Sequence, residues 1–129
     1  MLVVDASALV PAIADGTETG SQRRRRLSRE SVTAPDLILA ESASVIRRQS
    51  FAGQIDEAQA EQAIEGLLAL PIIICPTAHL LRRAWELRAN ITPYDACYIA
   101  LAEFLGCPLL TGDTRLARAP GSACKIELV

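Results

Sequence analysis

The sequence has few aromatic residues, a single histidine and no closely spaced cysteines. Aromatic residues make up 4% of the 129 residues, so leucine, isoleucine, valine and alanine must fill the core. The four cysteines, at positions 75, 97, 107 and 124, form no CxxC pair. With only one histidine, this spacing disfavours a zinc knuckle or a thioredoxin-like motif. We expect four reduced thiols, most of them packed.

Long apolar segments and an excess of positive charge are also missing. The longest apolar stretch, Leu67 to Cys75, is far short of the roughly 20 residues that a membrane span needs. Asp5 interrupts the first apolar run, so the N-terminus does not read as a secretory signal and we expect a cytoplasmic protein. The net charge of −2 argues against a protein that coats nucleic acid electrostatically. Any contact with nucleic acid must therefore be local.

The length and composition fit one globular domain. Half of the residues are hydrophobic and 22% are charged. A chain of this size can bury enough surface for a core of its own, whereas two halves could not. We therefore expect residues 1–129 to form a single domain.

Short apolar segments alternate with helical patterns along the whole chain. The predicted strands are Leu2 to Val4, Val32 to Ala34, Ile72 to Cys75, Pro108 to Thr111 and Lys125 to Val129. The predicted helices begin near Ser7, Thr17, Asp36, Asp56, Thr77 and Thr92, and the last ends at Gly106. This alternation indicates a parallel sheet whose strands are buried on both faces. The fold class is α/β, a three-layer α/β/α arrangement with a central parallel sheet.

Two aspartates follow buried strands. Asp5 ends the first predicted strand, and Asp113 lies just past the fourth. In open α/β sheets, ligands bind at the carboxyl ends of the strands. Either residue alone could be a helix cap or a turn residue, but two acids at the same edge favour a site.

Two further acids lie on apolar helix faces. Glu41 is four residues after Leu37 and four before Val45, so it shares their inward face. Asp95 lies three residues before Tyr98 and is likewise on an apolar face, near a helix N-terminus where negative charge is favoured. Burying a carboxylate lowers the folding stability by on the order of several kcal/mol unless the group is paired or bound to a cation.

The four acids predict a metal site. Carboxylates at one edge would repel each other unless a divalent cation lay among them. Oxygen ligands without cysteine or histidine suit Mg²⁺ or Mn²⁺. The competing interpretation is that each acid pairs with an arginine. The available arginines are Arg47, Arg48, Arg88 and Arg115.

Acidic clusters that hold Mg²⁺ serve phosphoryl transfer, in which the metal activates water and neutralises the phosphate. A metal-free ribonuclease would usually need paired acid–base groups, and His79 stands alone, so we expect it at the surface. Ser7 and Thr111 lie near Asp5 and Asp113, where they could orient a ligand or a metal-bound water, or simply cap the ends of strands. Arg115 is placed to contact a phosphate.

At these residues the chain resembles the PIN-domain ribonucleases, specifically the VapC-type toxins of bacterial toxin–antitoxin pairs. The matching segments are LVVDASALV, APDLILAESASVIRR, RAWELRANITPYDA and ITPYDACYIALAEFLGCPLLTGDTRLA. They cover nearly the whole chain in the usual order of the family. In this resemblance the four motif acids correspond to Asp5, Glu41, Asp95 and Asp113.

The resemblance implies a PIN fold and cleavage of RNA that leaves a 5′-phosphate and a 3′-hydroxyl. It also implies a homodimer and a small antitoxin protein that blocks the site. The motif gives no role to the run Arg23 to Arg26, which could bind RNA or an acidic partner but is more typical of a solvated helix face. No aromatic platform for stacking single-stranded bases is evident in the sequence.

Other classes fit less well. A phosphoacceptor receiver domain would need an acidic pair beside the first strand and a lysine near a late strand, but the only lysine is Lys125. A haloacid-dehalogenase phosphatase would need an acid two residues after Asp5, where Ser7 stands. A PIN-like module that binds RNA or a partner without cutting remains open.

Overall fold

A parallel sheet of five strands organises the chain, and the computed structural model describes residues 1–129. The strands run in the order β3-β2-β1-β4-β5, so β1 is central. Their bounds are β1 Leu2–Val4, β2 Val32–Pro35, β3 Ile73–Cys75, β4 Leu109–Thr111 and β5 Ile126–Leu128. Val3 pairs with Thr33 on one side and with Leu109 on the other. Because every pairing is parallel, all strands end at the same edge of the sheet.

Helices cover this sheet and confirm the expected three-layer α/β/α fold. They are α1 Ala6–Ala14, α2 Glu18–Leu27, α3 Leu37–Phe51, α4 Glu57–Ala69, α5 Leu81–Glu86, α6 Pro93–Leu105 and α7 Thr114–Arg118, with a 3-10 turn at Thr77–Leu80. Helix α1 packs against α2, α3 and α4, while α6 packs against β1, β2 and α5. No helix has the length and apolar character needed to cross a membrane.

The core is aliphatic, as the composition predicts. All three residues of β1 are fully buried, since helices lie over both faces of the central strand. Tyr98 is the one aromatic residue in the main core cluster of 22 residues. All four cysteines are unpaired, and Cys97 is buried, which confirms the expectation of reduced thiols. His79 is exposed, also as expected.

Three expectations about the elements are wrong. Strand β3 is not buried: Ile73 is 52% and Ile74 is 39% exposed, because β3 is an edge strand of the sheet. The helix expected to begin at Thr77 is divided into the 3-10 turn and the short α5, which ends at Glu86. Helix α7 was not expected, because five residues are too few for a periodic pattern.

The expected helix caps differ as well. Asp36 makes no capping bond in its own helix and instead accepts hydrogen bonds from the backbone N–H and the hydroxyl of Thr77. These two residues join the start of α3 to the turn after β3. A contact between these two distant residues thus takes the place of the local capping bond expected at each of them.

The arginine run belongs largely to the fold and is not simply a solvated face. Arg26 binds Glu127 in β5 at 2.8 Å and Glu30 at 3.0 Å, and Glu30 also binds the N-terminal amine at 2.7 Å. Arg24 donates to the backbone oxygen of Ala12 in α1 at 2.9 Å. Helix α2 is thus tied to α1, β5 and the start of β1.

We predict that replacing Arg26 with methionine lowers the free energy of unfolding by about 1 kcal/mol, because it leaves Glu127 and Glu30 without their shared partner. Arg25→Met is the matched control, since Arg25 contacts only Glu18 at the exposed surface. Urea denaturation of both variants measures the difference. Equal midpoints for the two variants would contradict this role for Arg26.

Candidate active site

Asp5 is the most buried carboxylate of the chain and lies where β1 meets α1. It is 5% exposed, and both carboxylate oxygens accept hydrogen bonds. Oδ1 accepts from the Ser7 hydroxyl at 2.6 Å and from the Ala8 backbone N–H at 3.0 Å. Oδ2 accepts from the hydroxyl of Thr111. Asp5, and not Ser7, is therefore the cap of α1.

Ser7 and Thr111 also hold the end of β4 against the start of α1. The Gly112 backbone N–H donates to the Ser7 hydroxyl at 2.8 Å, and the Asp113 N–H donates to the Thr111 hydroxyl at 3.0 Å. A side chain at position 112 would approach the Ser7 backbone oxygen to 3.1 Å, so glycine allows this close contact. The two hydroxyls thus orient Asp5 and connect it to the loop that carries Asp113.

Glu41 points inward from α3 and meets Tyr98 of α6. The tyrosine hydroxyl donates to Glu41 Oε2 at 2.9 Å. Burial raises the pKa of Glu41, and the negative charges of Asp95 and Asp5 add to the effect, although the bond from Tyr98 opposes it. Tyr98 is fully buried, and its pKa is raised by burial and by the neighbouring Glu41. Glu41 therefore lies within the field of the other acids.

Asp95 occupies the first turn of α6, after the cap Thr92 and the N1 residue Pro93. Burial raises its pKa, and the charges of Asp5 and Asp113 raise it further. Burial likewise raises the pKa of Asp5, against the hydrogen bonds of Ser7 and Thr111. Asp5, Asp95 and Asp113 are thus far apart in sequence but near one another in the fold.

Asp113 is held differently from the other three. Burial would raise its pKa, but the backbone N–H groups of Arg115 and Leu116 and the nearby Arg115 guanidinium outweigh that effect and lower it. The guanidinium lies 3.6 Å from Asp113 Oδ2, while the Arg115 side chain is 92% exposed. The structure thus places Arg115 at the mouth of the site, where the sequence analysis expected a phosphate contact.

A groove of about 190 Å³ opens between Asp95 and Asp113. Asn90, Thr92 and Arg115 also line it. Asn90 and Tyr98 are site residues that the sequence analysis did not identify. Tyr98 could have been found, because a tyrosine on an apolar helix face needs a partner for its hydroxyl. Asn90 had no such signal, since it belongs to the segment between α5 and α6.

Arginine pairing does not account for the acids. No arginine forms a salt bridge with Asp5, Glu41 or Asp95. Arg47 and Arg88 instead lie over the rings of Phe51 and Trp85. Three carboxylates thus have no ion-pair partner in the chain, and Arg115 acts on Asp95 only from beyond ion-pair distance.

The donor set fits a hard divalent cation in its chemistry, because it consists of carboxylate and hydroxyl oxygens only. As the side chains stand, no three His, Cys, Asp or Glu residues converge on one metal position. The hydrogen bonds explain this arrangement. Donors of the chain hold Asp5, Glu41 and Asp113 in separate places.

The chain matches the PIN domain family model over residues 2–122. It is 45% identical to "Ribonuclease VapC1" of Mycobacterium tuberculosis, over 98% of this chain and 96% of that protein. The crystal structure of M. tuberculosis VapC20, described as a Sarcin-Ricin loop cleaving toxin, is similar with a TM-score of 0.70 at 17% identity, covering 91% of this chain and 93% of that one.

VapBC2 of Rickettsia felis, bound to a DNA fragment from their promoter, is also similar. Its TM-score is 0.69 at 15% identity, over 98% of this chain and 97% of that one. At 17% and 15% identity, the two structures support the fold alone. The family model and the 45% identity to the M. tuberculosis relative establish the family. The chain belongs to the PIN domain family and is of the VapC type.

Proposed function

We propose that this protein is a Mg²⁺- or Mn²⁺-dependent endoribonuclease that acts as the toxin of a toxin–antitoxin pair. One observation carries the proposal: Asp5, Glu41 and Asp95 come from three separate elements and lie close together at one edge of the sheet. Burial raises the pKa values of all three, and the charge of Asp5 raises those of Glu41 and Asp95 further. Such repulsion is relieved by a bound cation. The relatives named ribonuclease VapC support RNA as the substrate class.

In this proposal Asp5, Glu41, Asp95 and Asp113 hold the metal. A bound Mg²⁺ or Mn²⁺ supplies an activated water and neutralises charge on the phosphate. Hydrolysis that breaks the bond between phosphorus and O3′ leaves a 5′-phosphate and a 3′-hydroxyl.

The residues around the acids act by positioning them. Ser7 and Thr111 fix both oxygens of Asp5, and Tyr98 fixes one oxygen of Glu41. Partners of this kind orient ligands and tune their basicity. Arg115 is exposed beside Asp113 and can bind a phosphate oxygen of the RNA.

The partners follow from the relatives. The similar structures include VapBC2 of Rickettsia felis and FitAcB of Neisseria gonorrhoeae. We propose that a small antitoxin protein covers the carboxylate site, and that the chain forms a homodimer.

A second candidate is a PIN-like module that binds RNA or a partner without cutting. It is favoured by the finding that donors of the chain hold the carboxylates apart. Metal-dependent binding of RNA without cleavage would support this alternative.

We predict that purified protein cleaves RNA with Mg²⁺ or Mn²⁺, that EDTA stops cleavage, and that added metal restores it. Asp5→Asn keeps the shape of the side chain but removes its charge, so we expect a loss of at least about a hundredfold in rate. Sequencing of RNA 5′ ends measures the cut and shows the 5′-phosphate. Glu61→Gln, an exposed acid of α4, is the control that should keep full activity. Cleavage that persists in both EDTA and Asp5→Asn would contradict the metal site.

The metal-free protein should gain stability at neutral pH from Asp95→Asn. Folding raises the pKa of Asp95 above 3.8, so the folded chain binds more protons than the unfolded one and loses stability as pH rises through this range. Removing the charge should raise the melting temperature at pH 7.5 by a few degrees, and the gain should shrink towards pH 4.

Thermal unfolding at both pH values tests this, with Glu61→Gln as the charge-matched control. Mn²⁺ should raise the melting temperature of the wild type more than that of Asp95→Asn. A gain from Asp95→Asn that is the same at pH 4 and pH 7.5 would exclude charge repulsion as its cause.

In cells, expression of the chain alone should arrest growth, and a small neighbouring open reading frame should relieve the arrest. Glu41→Gln should abolish the arrest while protein levels stay constant, because it removes one of the four acids. Growth curves and immunoblots measure both. Arrest that is undiminished in Glu41→Gln would assign the toxicity to another origin.

A further inference from the structure

An exposed aromatic surface lies beside the carboxylate site. Trp85 in α5 is 62% exposed and Tyr94 in the first turn of α6 is 67% exposed. Single exposed apolar side chains are normal, whereas a contiguous exposed patch is informative. Four of the five aromatic residues of this chain are exposed, and Trp85 and Tyr94 are the two whose neighbours in sequence line the grooves described below.

Arginines accompany these rings. The Arg88 guanidinium lies 4.7 Å from the centre of the Trp85 ring, and Arg88 also donates to the Trp85 backbone oxygen at 2.9 Å. Arg82 has no hydrogen-bond or ion-pair partner in the chain, whereas the one acid of α5, Glu86, is paired with Arg83 at 3.0 Å. Glu86 lines the groove beside Trp85, but Arg83 offsets its charge, so Arg82 and Arg88 leave the surface aromatic and net positive.

A groove beside Trp85 meets the carboxylate groove at the segment 92–95. Trp85, Arg82 and Pro93 line a second groove of about 600 Å³. Thr92 and Asp95, on either side of Pro93 and Tyr94, line the carboxylate groove. The segment 92–95 thus has residues in both grooves.

The surface is also held rigidly. Leu87 and Ile91, which flank Arg88, are each only 6% exposed and belong to the main core. The backbone N–H groups of Asn90 and Ile91 both bond to the Leu87 oxygen. Trp85 and Arg88 are thus presented on an anchored turn, which lowers the entropy that a ligand must remove on binding.

We propose that Trp85, Arg88 and Tyr94 form a stacking surface for unpaired bases of an RNA strand whose phosphate enters the carboxylate site. Bases of single-stranded RNA stack on aromatic rings and on arginine planes. Arg88 covers one face of the Trp85 ring, and the side chain is still mostly exposed, so a base can stack on the other face. Arg82 and Arg115 supply positive charge for the backbone on either side. The inference rests on the proposed function, and it proposes an aromatic platform where none was evident from the sequence.

Trp85 is the only tryptophan, so its fluorescence reports on this surface alone. A single-stranded RNA of about a dozen nucleotides, added in EDTA so that it is not cut, should quench the emission in a saturable way. The same RNA annealed into a duplex should quench much less, because its bases are already stacked. Saturable RNA binding, seen by anisotropy, that leaves Trp85 emission unchanged would overturn the proposal.

Substitution gives a second readout. Trp85→Ala should weaken binding of the single-stranded RNA by roughly tenfold, and Trp85→Phe should retain most of the affinity. The matched control is Phe51→Ala, which removes the other arginine–aromatic pair of the chain, Arg47 over Phe51 at 4.5 Å. Phe51 ends α3, roughly 15 Å along the helix from Glu41. Equal affinity losses in Trp85→Ala and Phe51→Ala would overturn the proposal.

Steady-state cleavage separates this inference from the function on which it rests. Trp85→Ala should raise KM and leave kcat largely unchanged, because the base contact stabilises the bound substrate and the transition state equally. A wild type that binds and quenches but never cuts would refute the proposed function and leave the stacking surface intact. If Trp85→Ala changes the molecular mass measured by light scattering, the surface is an interface between copies of the chain and the proposal is overturned.

Discussion

Repulsion between like charges at one edge of the sheet is the constraint on which the rest of this structure depends. Asp5, Glu41 and Asp95 each have a raised pKa, first because they are buried and then, for Glu41 and Asp95, because acids lie near one another. Neutral hydrogen-bond donors, and not arginines, contact the carboxylates of Asp5 and Glu41. Hydroxyl and backbone N–H groups hold Asp5 and Glu41 without cancelling their charge, which leaves this edge negative for the cation that we propose.

The sheet makes this concentration of charge possible. The β1 strand is central and fully buried, so Asp5 has a fixed position from which the other acids are arranged. Glu41 enters from α3, Asp95 from α6 and Asp113 from the end of β4. Sites built on strands and helices keep their geometry better than sites on free loops. Outside the acidic groove, an aromatic and basic surface around Trp85 presents the opposite chemistry, which suits an RNA strand whose phosphates and bases need different contacts.

Periodicity was enough to make Glu41 and Asp95 candidate site residues, since a carboxylate on an apolar helix face is costly unless it is paired or bound to a cation. It was not enough to find their partners. Tyr98 lies on the apolar face of α6 as a core residue, and although its hydroxyl requires a partner, only the structure identifies that partner as Glu41. A local capping rule predicts that Ser7 begins the first helix. In the structure its hydroxyl donates to Asp5 and accepts from the backbone N–H of Gly112, which is far away in sequence.

The sequence by itself determined the alternation of strands and helices, the parallel sheet and the four acids, because these depend on local hydrophobic patterns and on where strands end. The family resemblance added the expectations of an RNA substrate and an antitoxin partner. Only the tertiary structure decided that β3 is an exposed outer strand, that Arg26 ties α2 to β5, and that Trp85 lies in water beside Arg88. Strand order, ion pairs between distant elements and the exposure of a helix face depend on how elements pack, which no short stretch of sequence encodes.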